Sequence, residues 1–205
     1  MKQRFSKIKS NIKINKKIVV FLLGLAIIGL ILGSFYTVIL KDTDKSLVKD
    51  YMGEFLTNIK TNKINYVDVY INNTITNFIF ISVIWLLGIS VIGLPIKLFM
   101  YFSKAFVMGF TISSFILNYK LKGVLLSLIY VVPHGILNFI IYIILMNYAI
   151  TLSIKITETF IKKKEINFKG IMHRYVTVLG ICFISTLILN LYEVFIVPRL
   201  MLIFL

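Results

Sequence analysis

The sequence predicts an all-α, polytopic bundle of about five transmembrane helices, with breaks near Pro95 and Pro133. Three observations predict it. Of the 205 residues, 59% are apolar and 15% charged, against about 25% charged in a soluble domain, and the mean hydropathy is +0.92. The apolar residues fall in runs of the ~20 residues needed to cross a bilayer. The net charge of +15 is concentrated in short segments beside those runs, where membrane insertion leaves positive charge. That distribution argues against a nucleic-acid partner, which needs its basic residues gathered on one water-facing surface.

Residues 1–17 form a basic N-terminus with Lys2, Arg4, Lys7, Lys9, Lys13, Lys16 and Lys17 and no acid. Residues 18–205 form a single membrane domain. Its first span, Ile18 to Leu40, is free of charge and is retained, because a cleaved signal would have a shorter apolar core and a better cleavage site than Gly33-Ser34. Lys41 to Asn73 is the one sizeable polar segment. From about Asp44, the candidate cap, to Lys60 its apolar residues recur at helical spacing. We read an amphipathic helix outside the bilayer, whose candidate partner-binding or membrane-surface residues are Leu47, Tyr51, Met52, Phe55 and Ile59.

A second span starts at Phe78 and ends near Gly93-Leu94-Pro95, and a third runs from about Leu98 to Asn118. Gly123 to Ile154 contains no acid and no lysine. It is too long for one perpendicular helix and too short for two, so a tilted or broken helix is expected at Pro133. Lys155 to Arg174 is a basic connector, and the last span, Tyr175 to Val197, closes at Pro198-Arg199. Keeping both basic segments cytoplasmic places residues 41–73 and the C-terminus outside.

Polar residues at membrane depth are the natural functional candidates. His134, between Pro133 and Gly135, either serves a proton or ion path or hydrogen-bonds to a neighbouring helix across a close contact. Lys104, a third of the way along its span, is expected to snorkel toward the cytoplasm, and Glu193 toward the outer surface. Gly93 and Pro95 complete this set. Gly29 and Gly33 give a weak helix-contact signal in the first span. The single cysteine, Cys182, excludes an intramolecular disulfide. No catalytic or metal-ligating motif occurs, so neither an enzyme activity nor a cofactor is expected.

Four pieces in order carry a family resemblance: Asn72-Asn73; Trp85-Leu86-Leu87-Gly88-Ile89-Ser90-Val91-Ile92-Gly93-Leu94-Pro95; Lys104 to Thr111; and Pro133-His134-Gly135-Ile136. Together they resemble stage II sporulation protein M and its wider membrane family. Asn138 stands where the wider family commonly has a glutamate. The resemblance implies a non-catalytic subunit of the engulfment machinery of endospore-forming bacteria, on the mother-cell side of the septum. Its partners would be the cell-wall hydrolases stage II sporulation proteins D and P, which it would localise and hold. The residues leave two alternatives: a small transporter or channel subunit built on the interrupted helices and, behind it for want of paired catalytic residues, an intramembrane protease or lipid enzyme.

Overall fold

The computed structural model describes residues 14–162 and 168–204. Most of the basic N-terminus and the centre of the basic connector lie outside the described residues. Among the described residues seven helices follow in order: α1 (Lys16–Ile39), α2 (Asp42–Lys60), α3 (Tyr66–Ile89), α4 (Gly93–Tyr130), α5 (Val132–Lys162), α6 (Phe168–Leu191) and α7 (Val197–Leu202). A π-helical turn, Tyr192–Ile196, joins α6 to α7. The described residues contain no strand.

Four helical stretches are long and apolar enough to cross a membrane, and one of them, Gly93–Thr159, has 67 residues. That stretch contains two crossings. Lys120 has φ 52° and ψ −126°, a backbone conformation that turns the helix back on itself. Gly123 then lies so close to the Phe115 carbonyl that a Cβ would overlap its oxygen. Beyond the reversal the chain descends along its own first half, with Gly135 at Met108, Phe139 at Tyr101, and Ser153 at Lys97. The long stretch after Gly123 therefore crosses once, in two pieces hinged at Val131. Pro133 stands in the first turn of α5, where its missing N–H costs no helical bond. Pro95 similarly follows the short Ser90–Ile92 connection. The bundle has five crossings.

Some boundaries differ from the sequence reading. Helix α3 begins at Tyr66, not Phe78, so Asn72 and Asn73 belong to the bundle rather than to the polar segment. Helix α2 begins at Asp42 after Lys41, with no side-chain cap, so Asp44 lies inside it. The short tail after Pro198 continues as helix, with Val197 and Met201 fully buried.

Helices α1 and α4 run in the same direction and pack most closely where glycines face backbone. A Cβ on Gly33 would overlap the Phe106 carbonyl, and one on Gly109 the Leu30 carbonyl. Ser34 Oγ donates to Gly109 O at 3.1 Å and Ser113 Oγ to Ser34 O at 3.2 Å. Small residues that let backbones touch supply the attraction that apolar burial alone cannot supply in lipid. Elsewhere, Lys97 is completely buried and acts as a tie. Its Nζ donates to Ser153 Oγ at 2.7 Å and Ala149 O at 3.2 Å, and Ser153 Oγ donates to Gly88 O at 2.9 Å. The end of α3, the start of α4 and the middle of α5 are thereby joined.

Candidate functional site

Three helices that are distant in sequence build a polar cluster inside the bundle. His134 and Asn138 are one turn apart on α5, and Asn138 Nδ2 lies 2.6 Å from His134 Nε2. The π turn brings Glu193 to the same nitrogen, with Oε2 3.2 Å away. One ring nitrogen cannot serve both neighbours at once: Nε2 accepts from Asn138 in one tautomer and donates to Glu193 in the other. Asn73 of α3 donates to the same carboxylate oxygen at 3.3 Å. A second layer continues toward the opposite end: Asn77 Nδ2 donates to Asn190 Oδ1 at 3.0 Å, Asn190 Nδ2 to Thr74 Oγ1 at 3.1 Å, and Tyr142 OH to Asn77 Oδ1 at 3.3 Å.

Beside this cluster is a cavity of about 270 Å³. Lys104 lines it together with Asn77, His134, Asn138, Tyr142 and Glu193. Lys104 thus turns into the bundle, its Nζ 4.8 Å from the centre of the Phe80 ring, instead of snorkelling outward. The Phe80 face and the Glu193 charge across the cavity stabilise an ammonium that lipid would not. Glu193 likewise faces inward to His134 and not toward the surface. Two buried atoms of the lining, His134 Nδ1 and Asn138 Oδ1, have no hydrogen-bond partner among the described residues. Polar atoms of this kind beside open space are suited to ordered water. Gly135 sits against the flexible end of Met108, and a Cβ there would clash with its Sδ and Cε. Gly93 and Pro95 stay at the α3–α4 connection and line no part of this cavity.

Sequence reasoning singled out His134 but did not find its partners. The π turn has no local signature, although such turns recur at functional sites. The available signal was Glu193 itself, an acid inside an apolar run, together with the Asn spacing of α3.

The amphipathic helix gives a second site. Its C-terminal half is docked: Leu56 and Ile59 are buried with Val197 and Met201 of α7 and with Phe115 and Leu126. Ile59 is 1% exposed, so it packs the chain's own core and offers nothing to a partner. Phe55 lies against Tyr130, ring centres 5.1 Å apart. The N-terminal half is free, with Leu47 55% and Tyr51 72% exposed. Between the helix and α4 runs an apolar groove of about 340 Å³, lined by Val48, Tyr51, Met52 and Phe55 on one side and by Phe110 and Tyr130 on the other.

Neither the curated proteins nor the solved structures contain a match to this chain. A family match does exist: the description Stage II sporulation protein M covers residues 17–198, from the start of α1 to the start of α7. With a match across all five crossings, this sporulation-related membrane chain belongs to the Stage II sporulation protein M family.

Proposed function

We propose that the chain is a non-catalytic scaffold of the engulfment machinery, which holds cell-wall hydrolases at the septal membrane, with stage II sporulation proteins D and P as its partners. The observation that carries this reading is the divided state of α2. One half is fixed to the bundle by Leu56 and Ile59, and the other presents Leu47, Tyr51 and an open apolar groove. Exposed aromatic and aliphatic residues beside a preformed groove make the kind of rigid patch on which binding energy concentrates. Basic residues before α1 and after α5 favour a cytoplasmic location for that end, which supports a place for α2 on the side where the hydrolases would work.

Co-purification from sporulating cells tests the proposal. Leu47→Ser with Tyr51→Ser is expected to release both hydrolases while the protein remains inserted and abundant. Unchanged recovery of both would refute docking on α2.

The polar cavity favours a second reading, a small transporter or channel subunit. Under that reading Lys104→Gln abolishes engulfment at normal protein level and with hydrolase recovery intact. Under the scaffold reading, engulfment and hydrolase recovery change together.

A further inference from the structure

At the basic end of the bundle, α5 and α6 enclose a cleft of about 110 Å³ that the scaffold reading does not use. Lys155 lines it from α5 and Arg174 from α6, together with Tyr148, Thr151 and Tyr175. Among the described residues, the lining contains two cations and no acid. The Tyr148 hydroxyl is buried and has no hydrogen-bond partner among the described residues. Thr151 Oγ1 gives its one proton to Asn147 O at 2.7 Å, so it is no donor to the cleft.

Depth identifies the kind of anion. Asn147, one turn from Thr151, exchanges two hydrogen bonds with Asn15, at 3.1 and 3.0 Å. The cleft is therefore level with the start of α1, where the charge of Lys16 and Lys17 gives way to the apolar span. That is the boundary at which a lipid phosphate lies. Below it, Arg174 heads a stripe at helical spacing, Ile181, Ile184 and Ile188, which are 45%, 61% and 64% exposed. An acyl chain has a surface to follow from the cleft into the bilayer.

We infer that this cleft binds the phosphate headgroup of an anionic phospholipid, held by Lys155, Arg174 and the Tyr148 hydroxyl, with an acyl chain along the α6 stripe. Basic pockets between membrane helices recognise anionic headgroups in this way, and each basic residue near an anionic surface strengthens attraction about fivefold. The proposal is independent of hydrolase docking.

The single tryptophan supplies the readout. Trp85 stacks on Tyr175 of the cleft, with ring centres 5.4 Å apart, so a quencher on a lipid seated there comes close to it. The full chain is reconstituted in phosphatidylcholine vesicles containing phosphatidylglycerol, with bromine on the acyl chains of one lipid or the other. The expected result is a preference of at least about fivefold for phosphatidylglycerol. Lys155→Gln with Arg174→Gln is expected to reduce it to near parity, and Tyr148→Phe to lower it by about half. Lys16→Gln with Lys17→Gln removes the same charge from the same end and is expected to preserve it. No preference in the unmodified chain, or equal loss in the two double variants, would overturn the inference. So would displacement of the lipid by inorganic phosphate at constant ionic strength, which would assign the cleft to a free anion.

Discussion

The groove beneath α2 and the cavity beside His134 are of similar size, about 340 and 270 Å³, and opposite in chemistry. The groove is apolar, lies at the end of the bundle and is open beside exposed Leu47 and Tyr51. The cavity is polar, lies inside the bundle and is bordered by Lys104, His134 and Glu193. In water an apolar surface is the one that needs a cover; in lipid the polar surface does. Each feature is therefore placed where its surroundings leave it unsatisfied. The difference separates the two regions: the polar cluster joins helices, and the groove is the surface on which the proposed scaffold role depends.

The sharpest contrast is within α2. Ile59→Ala removes a fully packed side chain from the cluster with Val197 and Met201, and a loss of about 2–5 kcal/mol is expected. Leu47→Ala, three turns earlier on the same helix, is expected to change stability by about 0.5 kcal/mol or less. Thermal aggregation of the detergent-solubilised variants measures both. Similar losses at the two positions would show that the free half of α2 is also part of the fold.

Glu193→Leu tests the polar side. It removes the carboxylate that accepts from Asn73 and lies against His134, and leaves the Asn73 donor in a low-dielectric interior, a cost of about 1–3 kcal/mol. A gain in stability would mean that the carboxylate is held at a net cost, for a purpose other than joining helices. A smaller effect is expected at His134. Hydrogen bonds between membrane helices average about 0.6 kcal/mol, so His134→Leu should lower the midpoint slightly and His134→Asn should restore it. Equal loss of engulfment in both variants, at normal protein level, would instead make the imidazole proton the essential feature.

How much of this was legible in the sequence differs between the two regions. The five crossings followed from run length, and the breaks near Pro95 and Pro133 from proline and glycine. Gly29 and Gly33 were visible as a weak spacing, yet their partner Gly109 was not, because nothing local says which helices meet. The same limit hid the cavity. His134 and Glu193 each stood out as a polar residue at membrane depth, but nothing local joins them to each other or to Asn73 until three helices bring them together. Lys104 was misplaced for a related reason: snorkelling is the default for a lone lysine, and the Phe80 face and Glu193 that hold it inside come from other helices. The stripe on α2 was legible as periodicity, but periodicity could not divide Ile59, which the chain covers itself, from Tyr51, which it does not.

Topology underlies both roles and is tested by labelling. In a Cys182→Ser background, cysteine at Lys63 is expected to react with an impermeant thiol reagent in intact cells, and cysteine at Lys169 only after lysis. The reverse pattern would place α2 in the cytoplasm, away from the cell wall.

Site-specific photocrosslinking in sporulating cells tests the central claim most directly. A photoreactive phenylalanine is introduced in turn at Leu47, Tyr51 and Ile59, and the adducts are identified by mass spectrometry. The account predicts cell-wall hydrolase adducts from positions 47 and 51, and only internal adducts, to the α7 segment, from position 59. Lipid adducts alone from positions 47 and 51, with the protein inserted and abundant, would contradict it and make α2 a membrane-surface helix with no partner.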